Sequence, residues 1–539
     1  MKLYINHKSK FITISVMLLL LISSCKKVLD VAPYTSFTDV SAFTSADRVE
    51  LAVNGVYDAA QSGFYAGGAV RGYPFGAANI EQGDMRGEDM LNNALFYQVT
   101  YEATYNPTTA NQDFMFQTLY SLINKANLTI EGVTDAVSKG IINASIGNIY
   151  LGECRFLRAM AHHELLIHFA RPFRDGNGSK MGIIYRDFGI NSETTLNEAK
   201  KLKRGTVAEN YTKLLADLDF AETNLATTNT GANKTYRASK AAAIALKMRV
   251  KLHMGDWAGV ITEGNKLVPA NAPFVSPIGN WTLAAAPNTP FTSGGWQGNE
   301  SIFSIRNSAT DNPGVNGGLP NMYGPALATA PATGGGRALV RISPIIYNLP
   351  EFRCDDLRRN MIIPTGSGSS INYLSVKYID ATTSTDPAPQ IRYAEVLLIL
   401  AEAEARLGTG VNTRALSLLN AVRNRAVTAV ANQYTVLSFT DKIALVRAIL
   451  IERRIEFIAE GKRWADIHRN ALDPDFSTGG IPAKVGTGTP LTSAYSCAAG
   501  SSTYTTPVGA IPYTDYRFIW PIPNSERQVN ANYEQNPSY

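Results

Sequence analysis

Between Ile391 and Arg469 the chain can fold into little other than paired helices. Ala394, Leu398, Ala401 and Ala405 recur at intervals of four, three and four, one face of an α-helix. Three of the four are alanine, so a second helix can approach that face closely. Gly408 stands where a helix C-cap belongs. A second helical run is expected over Ala415 to Ala426, with Leu416, Leu419, Val422 and Ala426 on its apolar side. A third is expected from Thr440 to His468, capped by Thr440 or Asp441, with Ile443, Val446, Leu450, Phe457 and Trp464 as its periodic apolar positions. Helices joined by short turns cannot bury their apolar faces alone. They must stack on further pairs, the logic of a helical-repeat scaffold.

The runs RYAEVLLILAEAEARLG, ALSLLNAVRNRA and ILIERRIEFIAEGKRWADIHR occur here in that order. Together they resemble the C-terminal half of the SusD/RagB family of outer-membrane nutrient-binding lipoproteins. The resemblance implies an all-α dominated fold: tetratricopeptide-like helix pairs forming a scaffold, with long irregular loops and a few short strands. It also implies a SusC-like TonB-dependent transporter as partner, an oligosaccharide or similar nutrient as ligand, and no cofactor. Glu452, Arg453, Glu456, Glu460, Arg463 and Asp466 are numerous enough to suggest chemistry. On a helix such residues are expected to form surface ion pairs that orient neighbouring helices.

The N-terminus carries an address. Lys2, Lys8 and Lys10 precede a twelve-residue apolar run from Phe11 to Ile22, too short to span a bilayer as a mature helix. Leu21-Ile22-Ser23-Ser24-Cys25 resembles a bacterial lipobox, which makes Cys25 the expected site of lipidation. Residues 1–24 then form a signal peptide and 25–40 a lipid-anchored tether. One acyl chain holds only marginally, at about 0.8 kcal/mol per buried methylene, whereas two or more anchor stably. Removing the leader lowers the net charge from +5 to +2, which gives no electrostatic footprint for nucleic acid. With Cys25 acylated, Cys154, Cys354 and Cys497 remain, and no disulfide framework is expected from three.

Residues 41–539 read as a single domain, with an N-terminal helical part to about 345 and a C-terminal part from about 346. Helices are expected over Ser45–Ala60, Asp113–Val133, Asn148–Phe173, Arg204–Leu225 and Arg237–Trp257. Ala52-Val53-Asn54-Gly55-Val56-Tyr57 is similar to the first family helix. Gly152-Glu153-Cys154-Arg155-Phe156-Leu157-Arg158-Ala159 departs from the family's GEARFLRA only at Cys154, a small thiol expected to be buried. The close, Trp520-Pro521-Ile522-Pro523 followed by Gln535-Asn536-Pro537, is also family-like. Two long insertions, 63–109 and 269–343, are rich in Gly, Asn and aromatic residues. Long irregular segments of this kind in a compact domain usually carry function.

Few reactions find their residues. Gly334-Gly335-Gly336 and Gly366-Ser367-Gly368 lack the Lys-Ser/Thr of a phosphate loop. His163 and His168 are five apart rather than four, so they point about 140° away from each other on a helix and do not make a zinc pair. Asp84, Glu88, Asp89, Asp355 and Asp356 are available for a glycosidase pair, but availability alone argues little. Binding without bond chemistry is the sharper expectation, with a lipoprotein glycoside hydrolase or an adhesive surface subunit as alternatives. Flat aromatic rings suit the C–H faces of sugars, and Arg, Asp and Asn suit the hydroxyls. On the two insertions the candidates are Tyr73, Phe75, Arg86, Tyr97, Trp296 and Tyr323.

Overall fold

The computed structural model describes residues 41–62, 72–366, 368–498 and 503–539. The leader and Cys25 lie outside the described residues. Caps and apolar periodicity set the helices. The first, α1 (Ala46–Ser62), buries Val49, Val53 and Val56 on one side. Next come α2 (Ala77–Arg86), β1 (Met90–Asn92) and α3 (Leu95–Tyr101), then the long helices α4 (Ala110–Ser138) and α5 (Ala144–Phe169). Asn143 caps α5 by accepting from Ile146 N at 2.9 Å. After α6 (Glu193–Ala199), α7 (Val207–Asn224) opens on a capping box of Thr206 and Glu209. Ser239 caps α8 (Lys240–Met254), and Gly255 ends it in the left-handed region at φ 74°. Asp256 then caps α9 (Trp257–Leu267), a helix beyond the end of the Arg237–Trp257 run read from the sequence.

The middle of the chain is irregular: β2 (Ser301–Ile305), α10 (Leu319–Tyr323), β3 (Val340–Ile342), α11 (Pro344–Tyr347), β4 (Ile362–Thr365), β5 (Asn372–Ser375) and β6 (Ala388–Arg392). Helical order returns with α12 (Tyr393–Leu407), α13 (Thr413–Arg423), α14 (Lys442–Glu456) and α15 (Lys462–Arg469), followed by β7 (Gly480–Ile481), β8 (Ile511–Pro512) and α16 (Asn524–Val529). The strands form four two-stranded antiparallel ribbons, β1–β3, β2–β6, β4–β5 and β7–β8. The helices pack in series: α1 on α4, α4 on α5, α5 on α7, α7 on α8, α8 on α9, α9 on α12, and α12 on α13 and α14. This is the expected stack of helix pairs with long loops and short strands. Ala394, Leu398, Ala401 and Ala405 of α12 are fully buried in it.

The expected third helix of the C-terminal block breaks in two. Ala459 and Gly461 take φ values of 62° and 71°, ending α14 and starting α15. The turn lets Gly461 N donate to Asp84 in α2 at 3.0 Å. A Cβ at Gly83 would run into the Gly461 carbonyl, so α2 and α15 meet backbone to backbone.

The charges of this block are not at the surface. Arg392 binds Glu300 at 2.6 Å, Glu456 at 3.0 Å and Glu460 at 2.8 Å. Arg425 joins Glu300 and Glu456, Arg358 joins Asp356, Glu452 and Glu456, Arg423 reaches Glu452, and Lys377 reaches Glu460. Five cations and five carboxylates thus neutralise one another in the interior. Burial alone would raise the Glu456 carboxyl, but Arg425, Arg392 and Arg358 outweigh it and hold the group well below the carboxylate range. The expected surface pairs are a buried lattice because loops 284–300 and 356–377 close over this helix face. Such a lattice fixes geometry more surely than it adds stability.

Cys354 and Cys497, 143 positions apart in sequence, form a disulfide, which corrects the expectation of no bridge. Cys154 is free and fully buried in α5.

Candidate ligand-binding cleft

None of the six aromatic and arginine candidates offers a face to solvent. The Tyr73 hydroxyl accepts from Gln82 at 2.9 Å, and Phe75 lies in the core with its carbonyl accepting from Gln390 at 2.9 Å. The Arg86 guanidinium lies 3.4 Å over the Trp464 ring and donates to Phe518 O and toward His168. Burial pulls its pKa down to about 10. Tyr97 packs on Phe96 with ring centroids 4.6 Å apart. Trp296 stacks on Tyr378 at 6.1 Å, and Tyr323 lies 5.8 Å from the same ring while donating to Asp84 at 2.6 Å. The structure therefore brings Trp296 and Tyr323 together through Tyr378 but faces them inward. An irregular segment has no ladder of backbone bonds to hold it, so its large rings become its core.

The histidines of α5 also face apart. His163 packs at 4.8 Å on His253, while His168 stacks on Trp520 at 4.5 Å and reaches Glu164 at 3.1 Å. The carboxylates available for hydrolysis are held elsewhere. Glu88 and Asp89 are clamped by Arg454 and Arg463, Asp356 by Arg358, and Asp355 by Arg353.

An open cleft of about 480 Å³ lies instead where the C-terminal half of α1 meets the turn at 233–237 and the segment following β2. Its size suits a small ligand. The apolar stripe of α1 faces α4 and α5, which leaves Glu50, Asn54 and Asp58 on the outer stripe at spacings of four. Tyr57 and Tyr236, both half-buried, supply ring faces, and Arg306 stands 5.9 Å from the Tyr236 ring. Asn233, Arg237, Ser308 and Asp311 complete the polar rim.

One buried carboxylate organises this wall. Glu153, on α5, accepts from the Tyr57 hydroxyl at 2.6 Å and from Arg237 Nε at 2.7 Å and Nη2 at 3.0 Å. Arg237 Nη1 donates to Asn54 at 2.5 Å, and Ala238 N donates to the Tyr57 oxygen at 2.9 Å. Burial raises the Glu153 carboxyl, and Arg237 opposes that rise. Burial also pushes the Tyr57 phenol well up, with Glu153 adding to it, so Tyr57 stays a neutral donor. On the far side Gln61 Nε2 donates to Arg306 O at 3.0 Å, Asn307 Oδ1 at 3.1 Å and Asp311 O at 3.0 Å, tying the 306–311 segment to α1. The cleft is thus a preformed set of ring faces, amides and carboxylates. Asn54 and Tyr57 lie in the AVNGVY motif and Glu153 in GECRFLRA, yet nothing in those words distinguishes cleft from core. The one legible sign is the polar 50, 54, 58 stripe opposite three valines.

Comparison with known proteins agrees with this fold. A family profile described as "SusD family" matches residues 364–539, and one described as "Starch-binding associating with outer membrane" matches residues 28–252. SusD-like protein P38 of Formosa agariphila is 25% identical over 500 residues, 85% of this chain and 92% of that protein. A SusD superfamily protein from Bacteroides fragilis superposes with a TM-score of 0.72 at 25% identity, covering 92% of this chain and all of that one. The surface glycan-binding protein A from Bacteroides uniformis shares the fold at a TM-score of 0.68 and 17% identity, covering 91% of this chain and 99% of its own. In its helix stack, in both halves of its sequence and in its solved neighbours, the chain belongs to the SusD/RagB family, whose profiles describe starch-binding proteins associated with the outer membrane.

Proposed function

We propose that the protein is a lipid-anchored outer-membrane binding protein that holds a glycan in the α1 cleft and passes it to a SusC-like TonB-dependent transporter. The cleft carries this reading: half-buried tyrosine faces beside amides, an arginine and carboxylates already fixed by Glu153 and Gln61. Fixed groups bind without paying for their own ordering, and capture and release require no bond to be made or broken. Acylation at Cys25 after loss of residues 1–24 supplies the anchor, residues 25–40 the tether, and 41–539 one binding domain. The Cys354–Cys497 bridge supports an oxidising compartment outside the cytoplasm.

The test is a glycan-binding screen on the chain lacking residues 1–25. Tyr236→Ala and Asn54→Ala should each weaken binding about tenfold, the scale of one lost stacking or hydrogen-bonding partner, with unchanged thermal unfolding. Wild-type affinity in both variants removes the cleft from the reading. Mass spectrometry of the mature terminus checks the anchor, and co-purification with a transporter from native envelopes checks the partner.

A further inference from the structure

Three carboxylates at the cleft differ from those of the buried ion-pair network. Inside, carboxylates such as Glu300, Glu402, Glu456 and Asp466 are each held by arginines. Glu50, Asp58 and Asp311 line the open cleft, and none of them makes an ion pair or hydrogen bond through its carboxylate among the described residues. Burial raises the Asp58 carboxyl, the charge of Asp311 adds to the rise, and Lys125 of α4 opposes it. The cations of the cleft do not offset this. Arg237 is already taken by Glu153 and Asn54, which leaves Arg306 beside Tyr236.

A carboxylate only accepts hydrogen bonds, and two neighbouring sugar hydroxyls can donate to its two oxygens. A uronate or sulfate brought to the same place meets like charge, a repulsion that salt screens. We propose that the cleft selects uncharged oligosaccharides and turns away uronate-bearing and sulfated ones. This rests on the glycan-binding reading above. Selection comes from Asp58 and Asp311, and stacking from Tyr57 and Tyr236.

The experiment uses the chain lacking residues 1–25 on an array of neutral, uronate-bearing and sulfated glycans, then calorimetry on each class that binds, at low and physiological salt. Neutral glycans should bind, and weaken about tenfold both with Tyr236→Ala and with Asp58→Asn plus Asp311→Asn, which removes two charged acceptors. The same double variant should raise the binding of acidic glycans about tenfold by removing repulsion. Both aspartates are exposed, so the fold should survive. Acidic glycans that bind the unaltered chain and are weakened by Tyr236→Ala overturn the charge selection while leaving the binding reading intact. A chain that binds no glycan of any class overturns both.

Discussion

Trp296 and Glu153 show how differently two functional-looking residues can be used. Trp296 has the chemistry of a sugar platform, but it lies flat on Tyr378 with an interplanar angle of 3° and is only 4% exposed. Trp296→Ala and Tyr323→Ala should each cost about 3–5 kcal/mol in denaturant unfolding, as for any large ring lost from a core. Binding lost at full stability would return them to the ligand. Glu153 is buried like a core residue yet fixes both Tyr57 and Arg237 in the cleft. Glu153→Gln keeps the shape but removes the charge that holds Arg237. We expect a loss of about 1–3 kcal/mol in stability, and weaker ligand binding by calorimetry as the Tyr57 and Arg237 side chains gain freedom. Unchanged stability and affinity would mean that Asn54 and the backbone suffice to hold them.

At the scale of elements, the contact between α2 and α15 decides whether the irregular N-terminal insertion docks on the helical stack. Every residue of α2 but Asn79 is buried. The helix is short and carries Glu81, Gln82, Asp84 and Arg86, a composition that propensity alone would not bury. It is held by the Gly83–Gly461 approach, by Asp84 accepting from Gly461 N, and by Arg86 on Trp464. Gly83→Ala should lower stability by about 3 kcal/mol, since the obstacle is backbone and cannot swing aside. Gly461→Ala should also be destabilising, because its φ of 71° is in the left-handed region and a Cβ would meet the Ile80 carbonyl. Thermal melts of both variants check this, and a native melting temperature for Gly83→Ala would mean that the two helices can separate freely.

For the molecule as a whole, buried histidines and buried carboxyls pull stability in opposite directions with pH. Burial lowers His163 to about 4 and His468 to about 3, and drives His162 and His253 well down. Below about 6.5 the unfolded chain takes up protons that these rings refuse, so stability drops as pH falls from there toward 4. Glu81 runs the other way. Burial raises its carboxyl to about 8, and Asp84 on the same helix is raised by burial to about 7. Between about 4.5 and 8 the unfolded chain releases a proton that folded Glu81 keeps, so stability declines as pH rises through that window. Glu81→Gln should remove most of the decline between about 4.5 and 8 in urea titrations; an unaltered slope across that window would place the proton elsewhere. Reducing Cys354–Cys497 frees a long loop and should cost about 2–5 kcal/mol.

The sequence determined the helices and, through their motifs, the family. Apolar spacing, a cap such as Asp441, and the small-residue face of α12 act within a few residues of each other, and the chain states them directly. It also placed Cys154 in the core and marked the acid and base content of α14 and α15. Only the tertiary structure decided that those charges form a buried lattice, that two of three remaining cysteines meet, that α15 starts at a glycine contacting α2, and which aromatic rings face in. These outcomes depend on segments far apart in the chain closing on one another, as Asp84 does on Gly461 and Glu153 on Tyr57. The cleft arises in the same way, from α1, a turn near 235 and a strand end near 305. No local pattern can encode a concavity whose walls come from three distant stretches of chain.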